Sequence, residues 1–465
     1  MTQSLVLKLM KWVRKYYYKG TSPNLAAFTR QAVHLFFLWG KTKGWKWTAT
    51  AFKLTRLAIT RTLAGQELPR PFGISLCKKT NLPMMLPLQV RLGILRRDFL
   101  LISYVLTVLQ LSRMILGTGV IASYDSITRP TTGKNPFTAA SVAIVMTRMG
   151  INRLDEPTTF TFPWGSTSGP NGISIATSFS DLMNIPQDIL ECLYTLGGPE
   201  FKEKVSSLKG FVETTNGILW KLTKLDPDKT GNLLRRISIK KDKEYKSRTL
   251  CNSRLYNPDG IDAFTRLIKI AYWNPYLRIV LSTKTKGSKD LLYGGGPYYS
   301  FDLTSATDRV PSIRTENGPN LVNQRKICGR PEYRPWLNSH SEHQMDTTWS
   351  SECGQPLGAK SSWTMFTIAH QFCGPVLCNG AIHWQSLIQN SWVMTLLYVI
   401  MHLRLSTLRW CSQLGVDISP VKTHVSENLF EFRQKILVYS PLRYQVSLSL
   451  RWIADINNYV SFVAT

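Results

Sequence analysis

Two aspartates in the run SFDLTSATDR have a spacing that suits phosphoryl-transfer chemistry. Asp302 and Asp308 lie six positions apart in a stretch that begins like a β-strand. Phe301 and Leu303 flank Asp302, so a strand would bury these apolar side chains on one face and present the carboxylate on the other. A carboxylate at a strand end is a common Mg²⁺ ligand. Because one carboxylate rarely holds a catalytic Mg²⁺ alone, the pattern predicts a second acidic ligand elsewhere in the chain.

The second aspartate of this run has two interpretations. Asp308 follows the strand and could contact a ribose hydroxyl. It could equally mark a strand-to-helix boundary, where Asp308 or Thr307 would satisfy the free N–H groups of a helix start. The spacing alone does not separate these two interpretations.

A glycine loop that leads into a helix is the next candidate site. The run GQPLGAKSSW contains two glycines, a glutamine and two adjacent serines, namely Gly354, Gln355, Gly358, Ser361 and Ser362. Glycines let the backbone approach a sugar-phosphate closely, and hydroxyl groups can hydrogen-bond a base or a 2′-OH. These residues are therefore candidates for nucleotide or RNA binding, although many tight turns share the pattern.

Basic residues on two further segments could act on phosphates. The run KKDKEYKSRTL predicts a hairpin in which Lys246 and Arg248 could brace a triphosphate. The alternative is a solvated, charged hairpin tip. Lys422 stands on a predicted turn after a short strand, where an ammonium group could protonate leaving pyrophosphate. The alternative there is an ordinary exposed lysine.

The overall composition favours a polyanion partner. The chain has 465 residues, a formal net charge of +28 and a pI near 9.9. Such a basic excess indicates RNA or DNA binding, with an import signal or compositional drift as alternatives. A hydrophobic content of 43% is enough for a real core and excludes wholesale disorder. The eight cysteines form no CxxC pair, so neither a zinc knuckle nor a disulfide scaffold is indicated.

Several segments must position these candidates. Residues 1–66 contain no acidic residue, and their basic, partly amphipathic start is typical of a mitochondrial transit segment or of a surface helix that binds phosphate. The apolar run 99–122 is interrupted by Gln110 and Arg113, which predicts a buried core helix and no membrane span. Residues 231–250 read as two short strands joined by a charged tip. Residues 311–350 show neither helical nor strand periodicity.

The order of these motifs along the chain resembles the order of motifs in a known class of enzyme. A basic hairpin, an Asp-x₅-Asp strand, a glycine loop entering a helix, and a strand–turn–Lys segment follow one another as in a polymerase palm. The chain resembles the RNA-dependent RNA polymerases of mitoviruses and the endogenised copies in plant mitochondrial genomes. FDLTSATDRVP resembles motif A, GQPLGAKSSWTMF motif B, LGVDISPVKTHVS motif D, KSRTL motif F and STSGPNG an upstream fingers signature. The likeness covers roughly residues 1–250 and returns at 291–310, 354–372 and 414–433.

The resemblance implies an α+β fold of the right-hand polymerase type, with fingers and an incomplete palm and no clear thumb. It divides the chain into a basic helical region (1–135), a fingers-like region (136–290), a palm-like region (291–433) and a C-terminal remnant (434–465). Segments 311–350 and 375–413 of the palm-like region look degenerate.

The family also implies chemical roles and partners. Asp302 would ligate Mg²⁺, Asp308 would sense ribose and Lys422 would act as general acid, with RNA and nucleoside triphosphates as partners. The expected location is the mitochondrion, with no membrane span, and nothing in the sequence indicates an oligomer.

Motif C, normally Gly-Asp-Asp between motifs B and D, is missing. No Asp or Glu occurs between Cys353 and Val416, so the expected second metal ligand is absent. The codons suggest a cause. If the codon of Val393 is GTG, the frame that starts at the last base of Trp392 reads GGT GAT GAC, which encodes Gly-Asp-Asp. An ancestral gene that shifted frame after motif B and shifted back before Leu414 would explain the loss.

Three expectations for function follow. The first is a polymerase by descent whose activity is lost with motif C. The second is a basic RNA-binding protein without catalysis. The third is a frameshifted relic that is not stably made, since scrambled inserts would leave strand edges unpaired.

Overall fold

The computed structural model describes the chain in several stretches. They are residues 2–17, 23–68, 71–117, 124–130, 132–133, 187–223, 236–252, 297–309, 334–335, 391–392, 395–398, 401–419, 423–427, 429–432, 435–438 and 444–445. The described residues mix helices and strands, in agreement with the predicted α+β class. No helix among them is both long enough and apolar enough to cross a bilayer.

The N-terminal part is a cluster of helices. The larger ones are α1 (Gln3–Tyr17), α2 (Pro23–Thr42), α3 (Trp45–Leu63), α4 (Leu88–Leu95) and α5 (Phe99–Leu109), and a short 3₁₀ turn (Gln110–Met114) follows α5. The Asp98 carboxylate caps α5 by accepting a hydrogen bond from the Leu101 N–H at 3.1 Å. The apolar run that begins at residue 99 thus forms a buried core helix, as predicted, although the α-helix ends at Leu109.

These helices share one apolar core. Phe28 on α2, Phe52 on α3 and Tyr104 on α5 are fully buried in it. The Tyr104 hydroxyl and the Thr29 hydroxyl are 2.6 Å apart, so the buried phenol has a polar partner. Leu429, from the far end of the chain, belongs to the same core. The N-terminal helices and the C-terminal strands therefore form one packed unit.

Helix α1 is an integral part of this core. Its residues Val6, Met10 and Val13 recur at helical spacing and are at most 1% exposed, while Lys8 and Lys11 on the opposite face are exposed. The basic, amphipathic segment at the start of the chain thus has its apolar face covered by the protein itself.

This packing predicts the effect of shortening one side chain. Met10→Ala removes buried atoms that the surrounding helices cannot fully replace, so we expect the free energy of unfolding to fall by about 2–5 kcal/mol. Lys11→Ala, on the exposed face of the same helix, should change it by less than about 0.5 kcal/mol. Urea unfolding followed by circular dichroism measures both. Equal effects of the two substitutions would contradict the placement of α1 in the core.

The middle of the chain contributes two helices and a hairpin. They are α6 (Asp125–Thr128), α7 (Gln187–Thr223, with a kink at Gly198 and Pro199), β1 (Arg236–Asp242) and β2 (Lys246–Asn252). Strands β1 and β2 pair antiparallel, with Asp242 opposite Lys246 at the closed end. The hairpin predicted for residues 231–250 is confirmed, and the short strand β4 (Arg334–Pro335) adds to its open end in parallel.

A four-stranded antiparallel sheet brings together strands from residues 298–426. Its order is β5 (Ser391–Trp392), β6 (Thr395–Tyr398), β3 (Tyr298–Asp302) and β7 (His424–Ser426). Strand β3 is central, since it pairs with β6 on one side and β7 on the other. The short helix α8 (Ala306–Arg309) follows β3, and α9 (Met401–Leu414) follows β6.

The C-terminal strands form a separate small sheet. Strands β8 (Leu429–Phe432), β9 (Lys435–Val438) and β10 (Tyr444–Gln445) pair antiparallel in sequence order. The segment 434–465 thus supplies two strands next to β8. The segment after α3 contacts the neighbouring four-stranded sheet, since the Gln66 Nε2 donates to the carbonyl of Val425 on β7 at 3.4 Å.

Candidate active site

Strand β3 positions the principal candidate, Asp302, at its C-terminal end. Phe301 and Leu303 are each 3% exposed, whereas Asp302 is only partly buried, so the predicted alternation of buried apolar side chains around the carboxylate is confirmed. Ser300, two residues before Asp302 and therefore on the same face of the sheet, is also buried. Both faces of the sheet are thus covered just before the aspartate. The sheet thus fixes Asp302 where its central strand leaves the core.

The neighbours of Asp302 come from segments far away in sequence. On one side, Thr395 of β6 is its register partner. On the other side, the Asp302 carbonyl accepts a hydrogen bond from the Ser419 N–H at 2.8 Å, and its own N–H donates to the Thr423 hydroxyl at 3.4 Å. The backbone of Asp302 is thus held between β6 and the segment that precedes β7.

The hairpin β5–β6 pairs with the strand that carries this aspartate. Trp392 pairs with Thr395 across the hairpin, and Thr395 pairs in turn with Asp302. The two residues between the strands are Val393 and Met394. If the codon of Val393 is GTG, a shifted frame would encode the two aspartates of motif C across the codons of Val393, Met394 and Thr395. A threonine, which is neutral, therefore occupies the position that faces Asp302.

The nearest acidic residue in the sequence after motif B is engaged elsewhere. Asp417 lies alongside the end of β3, since its carbonyl accepts a hydrogen bond from the Thr304 N–H at 2.8 Å. Its carboxylate pairs with the Arg129 guanidinium at 3.1 Å, and the Asp417 side chain is 68% exposed. Within the described stretches, no group of three or more His, Cys, Asp or Glu side chains could hold a metal ion.

These residues do not fit a two-metal centre. Two divalent ions about 3.5–4 Å apart need several carboxylate oxygens to offset their charge. Asp302 offers one carboxylate, its register partner Thr395 offers none, and the exposed Asp417 carboxylate pairs with Arg129. The described residues therefore support no catalytic step through a pair of Mg²⁺ ions.

Asp308 lies inside the first turn of α8 and is 9% exposed. Its N–H donates to the Ser305 carbonyl at 3.0 Å, and Asp308 is the third residue of α8, so it does not precede the helix as a capping residue would. The next residue, Arg309, is also buried, and its guanidinium donates to the carbonyls of Arg129 and Pro130, the latter at 2.9 Å. The strand–helix unit that carries both aspartates is thus tied to the segment after α6.

The tip of the β1–β2 hairpin is docked and not solvated. Glu244 and Tyr245 at the tip both have positive φ angles, of 62° and 56°. The Tyr245 N–H donates to the Ile115 carbonyl at 3.1 Å, and the Gly117 N–H donates to the Asp242 carbonyl at 3.0 Å. A Cβ atom at Gly117 would lie 2.0 Å from the Lys246 carbonyl oxygen, so only glycine permits this approach.

A buried carboxylate explains the docking. The Glu244 side chain is 11% exposed and forms ion pairs with Arg56 of α3, with Arg113 at 3.9 Å and with Lys246 at 4.0 Å. The Ser112 hydroxyl donates to it at 3.1 Å. Burial alone would raise the pKa of Glu244, but the charge and hydrogen bond of Arg56, aided by Lys246 and Arg113, outweigh burial and hold the pKa below its ordinary value.

Two of the other predicted phosphate-binding and nucleotide-binding residues lie on the β1–β2 hairpin. Lys246 is close to Glu244, so its ammonium is partly committed to the docked tip. Arg248 lies on β2 opposite Lys240 of β1. The remaining candidates lie outside the described residues, and they are Gly354, Gln355, Gly358, Ser361, Ser362 and Lys422. Sequence reasoning missed Glu244 and Thr395. The only signal for Glu244 is an acidic residue within an otherwise basic tip.

Comparison with known proteins finds one family that is similar to the part of the chain containing this sheet. Residues 280–458 match the family model described as Mitovirus RNA-dependent RNA polymerase, and no curated protein matches the chain. The matched segment includes β3 with Asp302, the hairpin β5–β6 and strands β7 to β10. Polymerases of this kind act on RNA and nucleotides with a divalent metal. Residues 280–458, less than half of the chain, are thus similar to the mitovirus RNA-dependent RNA polymerase family.

Proposed function

We propose that the chain is a polymerase by descent, with a right-hand arrangement of fingers and palm, and that it no longer catalyses nucleotidyl transfer. The observation that carries the proposal is the neutral neighbour of Asp302. The backbone retains an antiparallel hairpin beside the aspartate strand, with Thr395 opposite Asp302. In a working palm that hairpin supplies a carboxylate for the second metal contact.

In this proposal, the hairpin β5–β6 has lost an acidic side chain but has kept its strand pairing. Strands β5, β6, β3 and β7 are all present in one sheet, so the frame that would hold the metal ions exists. The chain carries no Asp or Glu between Cys353 and Val416, so the hairpin has no acidic side chain to offer. Without that carboxylate, too little negative charge remains to offset the repulsion between two divalent cations held about 3.5–4 Å apart.

A primer-extension assay tests the proposed inactivity. The purified full chain, incubated with a primed RNA template, nucleoside triphosphates and Mg²⁺ or Mn²⁺, should extend the primer no more than its Asp302→Asn variant does. Extension by the natural chain that disappears in Asp302→Asn would overturn the proposal. A catalytically competent RNA polymerase in the same buffer confirms that the template and nucleotides are usable.

We further propose that a frameshift in an endogenised, mitochondrially located viral gene removed motif C. The support is the position of codons 392–395, which would read as Gly-Asp-Asp in a shifted frame if Val393 is encoded by GTG, and which run from the end of β5 to the start of β6. Sequencing the gene across codons 391–400 tests this origin, because it requires GTG for Val393. Any other valine codon refutes it.

A second candidate function is RNA binding without catalysis. The net charge of +28 and the many exposed cations of the N-terminal helices favour it. RNA binding that weakens with salt and that is unchanged in Asp302→Asn would support this function. The absence of any salt-sensitive RNA binding by the folded chain would refute it.

A further inference from the structure

We propose that the junction of α2 and α3 is a binding surface for single-stranded RNA. The surface consists of residues 39–47, WGKTKGWKW, which we call the Trp–Lys knob. It contains three tryptophans and three lysines in nine positions and spans the end of α2 and the start of α3. The inference deepens the proposed retention of RNA binding and rests on it, since it assigns that binding to a region outside the matched polymerase segment.

The cations of the knob are available to a ligand. Lys41, Lys43 and Lys46 are exposed, and none of them pairs with a carboxylate of the described residues. The Lys43 ammonium lies 4.2 Å from the ring centroid of Trp47 and 5.9 Å from that of Trp39. These cation–π contacts hold the ammonium in place while leaving it accessible. A lysine held in this way loses less side-chain entropy when it binds a phosphate than a mobile lysine does.

The knob also presents a fixed aromatic ring. Trp45 is 39% exposed, yet its ring lies 5.5 Å from the ring centroid of Phe36. A Cβ atom at Gly40 would lie 2.4 Å from the Trp45 ring, so the indole rests directly on the glycine backbone. An anchored and partly open indole among exposed cations matches how proteins bind single strands, because bases stack on aromatic rings while lysines contact the backbone.

The electrostatic surroundings reinforce this preference. Residues 1–66 contain no acidic residue, so helices α1 to α3 add only positive charge around the knob. Trp39 and Trp47 are half-buried and pack edge to face with ring centroids 5.0 Å apart. The side chains that the knob exposes are thus three lysines, Thr42 and one indole, whereas a helix that binds a bilayer presents a whole apolar face. An RNA strand is therefore the partner that fits it best.

The experiment compares two charge reversals of equal size. The full chain and two triple variants are titrated with a fluorescent single-stranded RNA of about twenty nucleotides at several salt concentrations. The test variant is Lys41→Glu with Lys43→Glu and Lys46→Glu. The control variant is Lys78→Glu with Lys79→Glu and Arg96→Glu, which reverses three exposed cations elsewhere on the N-terminal helical region. Circular dichroism verifies that both variants are folded.

The expected result has a specific salt signature. The knob variant should bind at least about tenfold more weakly, and the slope of log affinity against log salt should decrease in magnitude by about 2, since each phosphate contact to a single strand contributes about 0.7. The control variant should change affinity by less than about threefold. Trp45→Leu keeps an apolar side chain over Gly40, so we expect about a tenfold loss with an unchanged slope.

Two outcomes would overturn the proposal. They are equal losses of RNA affinity in the two triple variants and an unchanged RNA affinity in the knob variant. Because no nucleotide or metal is added, the result is independent of the polymerase proposal. If the natural chain and the knob variant bind RNA with equal affinity, the knob is excluded as the binding surface, but RNA binding by the chain is supported. If no form binds RNA, the second candidate function fails as well.

Discussion

Thr395→Asp should create a divalent-cation site that the described residues of the natural chain lack. Position 395 faces Asp302 across β6 and β3, and side chains of directly opposed residues have Cβ atoms about 4.5–5.5 Å apart. Two carboxylates at that separation can share a Mn²⁺ or Mg²⁺ ion. In the absence of metal, they repel each other, so the variant should be less stable than the natural chain by up to about 1 kcal/mol.

Metal should reverse that loss. Mn²⁺ at ten times its dissociation constant stabilises a single-site protein by about 1.4 kcal/mol, so the melting temperature of Thr395→Asp should rise with Mn²⁺. Thr395→Asn has nearly the same size without the charge and should not respond beyond the natural chain. The double variant Asp302→Asn, Thr395→Asp should also fail to respond. A metal response of Thr395→Asn equal to that of Thr395→Asp would contradict the facing arrangement.

Glu244→Gln should destabilise the protein more than any surface change of the same kind. The substitution keeps the shape of the side chain and removes its charge, leaving Arg56 and Arg113, which are both largely buried, without a counter-charge. Breaking one partner of a buried ion pair typically costs about 3–5 kcal/mol. The matched control is Glu200→Gln, because Glu200 pairs with Lys204 one turn away on the exposed face of α7. That pair should be worth less than about 0.5 kcal/mol.

The same residue predicts a pH dependence. The folded-state pKa of Glu244 lies below the ordinary value of 4.5, so its contribution to stability is complete above pH 4.5 and is lost as the pH falls through the lowered pKa. The difference in unfolding free energy between the natural chain and Glu244→Gln should therefore be constant near neutrality and should shrink below pH 4.5. Urea titrations at a series of pH values measure it. A difference that grows with acidification would contradict the buried ion pair.

Local patterns predicted the elements, and long-range pairing decided the site. The alternation around Asp302, the hairpin at 231–250 and the core helix that begins at Phe99 all follow from periods of two or 3.6 residues, which neighbouring residues determine. The Arg56–Glu244 pair joins residues 188 positions apart, and no local pattern encodes such a partner. The same holds for Thr395 beside Asp302. The missing carboxylate was predictable, because an absent residue type is visible in the sequence itself.

The hairpin tip shows why a charge pattern can mislead. Five cations around KKDKEYKSR suggest a solvated tip, yet Glu244 is drawn into the helical region because Arg56 and Arg113 lie there. The acidic residue, and not the basic excess, decides where the tip goes. Lys246 is thereby brought to 4.0 Å from Glu244, which reduces its freedom to act on a triphosphate.

Leu429 has a consequence for synthesis on the ribosome. It fills a place among side chains of the first 115 residues, more than 300 positions earlier in the chain. Because translation proceeds from the N-terminus, the core of the N-terminal helices is incomplete until the segment that contains Leu429 has left the ribosome. A messenger RNA truncated before the codon of Leu429 yields a polypeptide with exposed apolar surface. Such a product is a target for chaperones and for proteolysis.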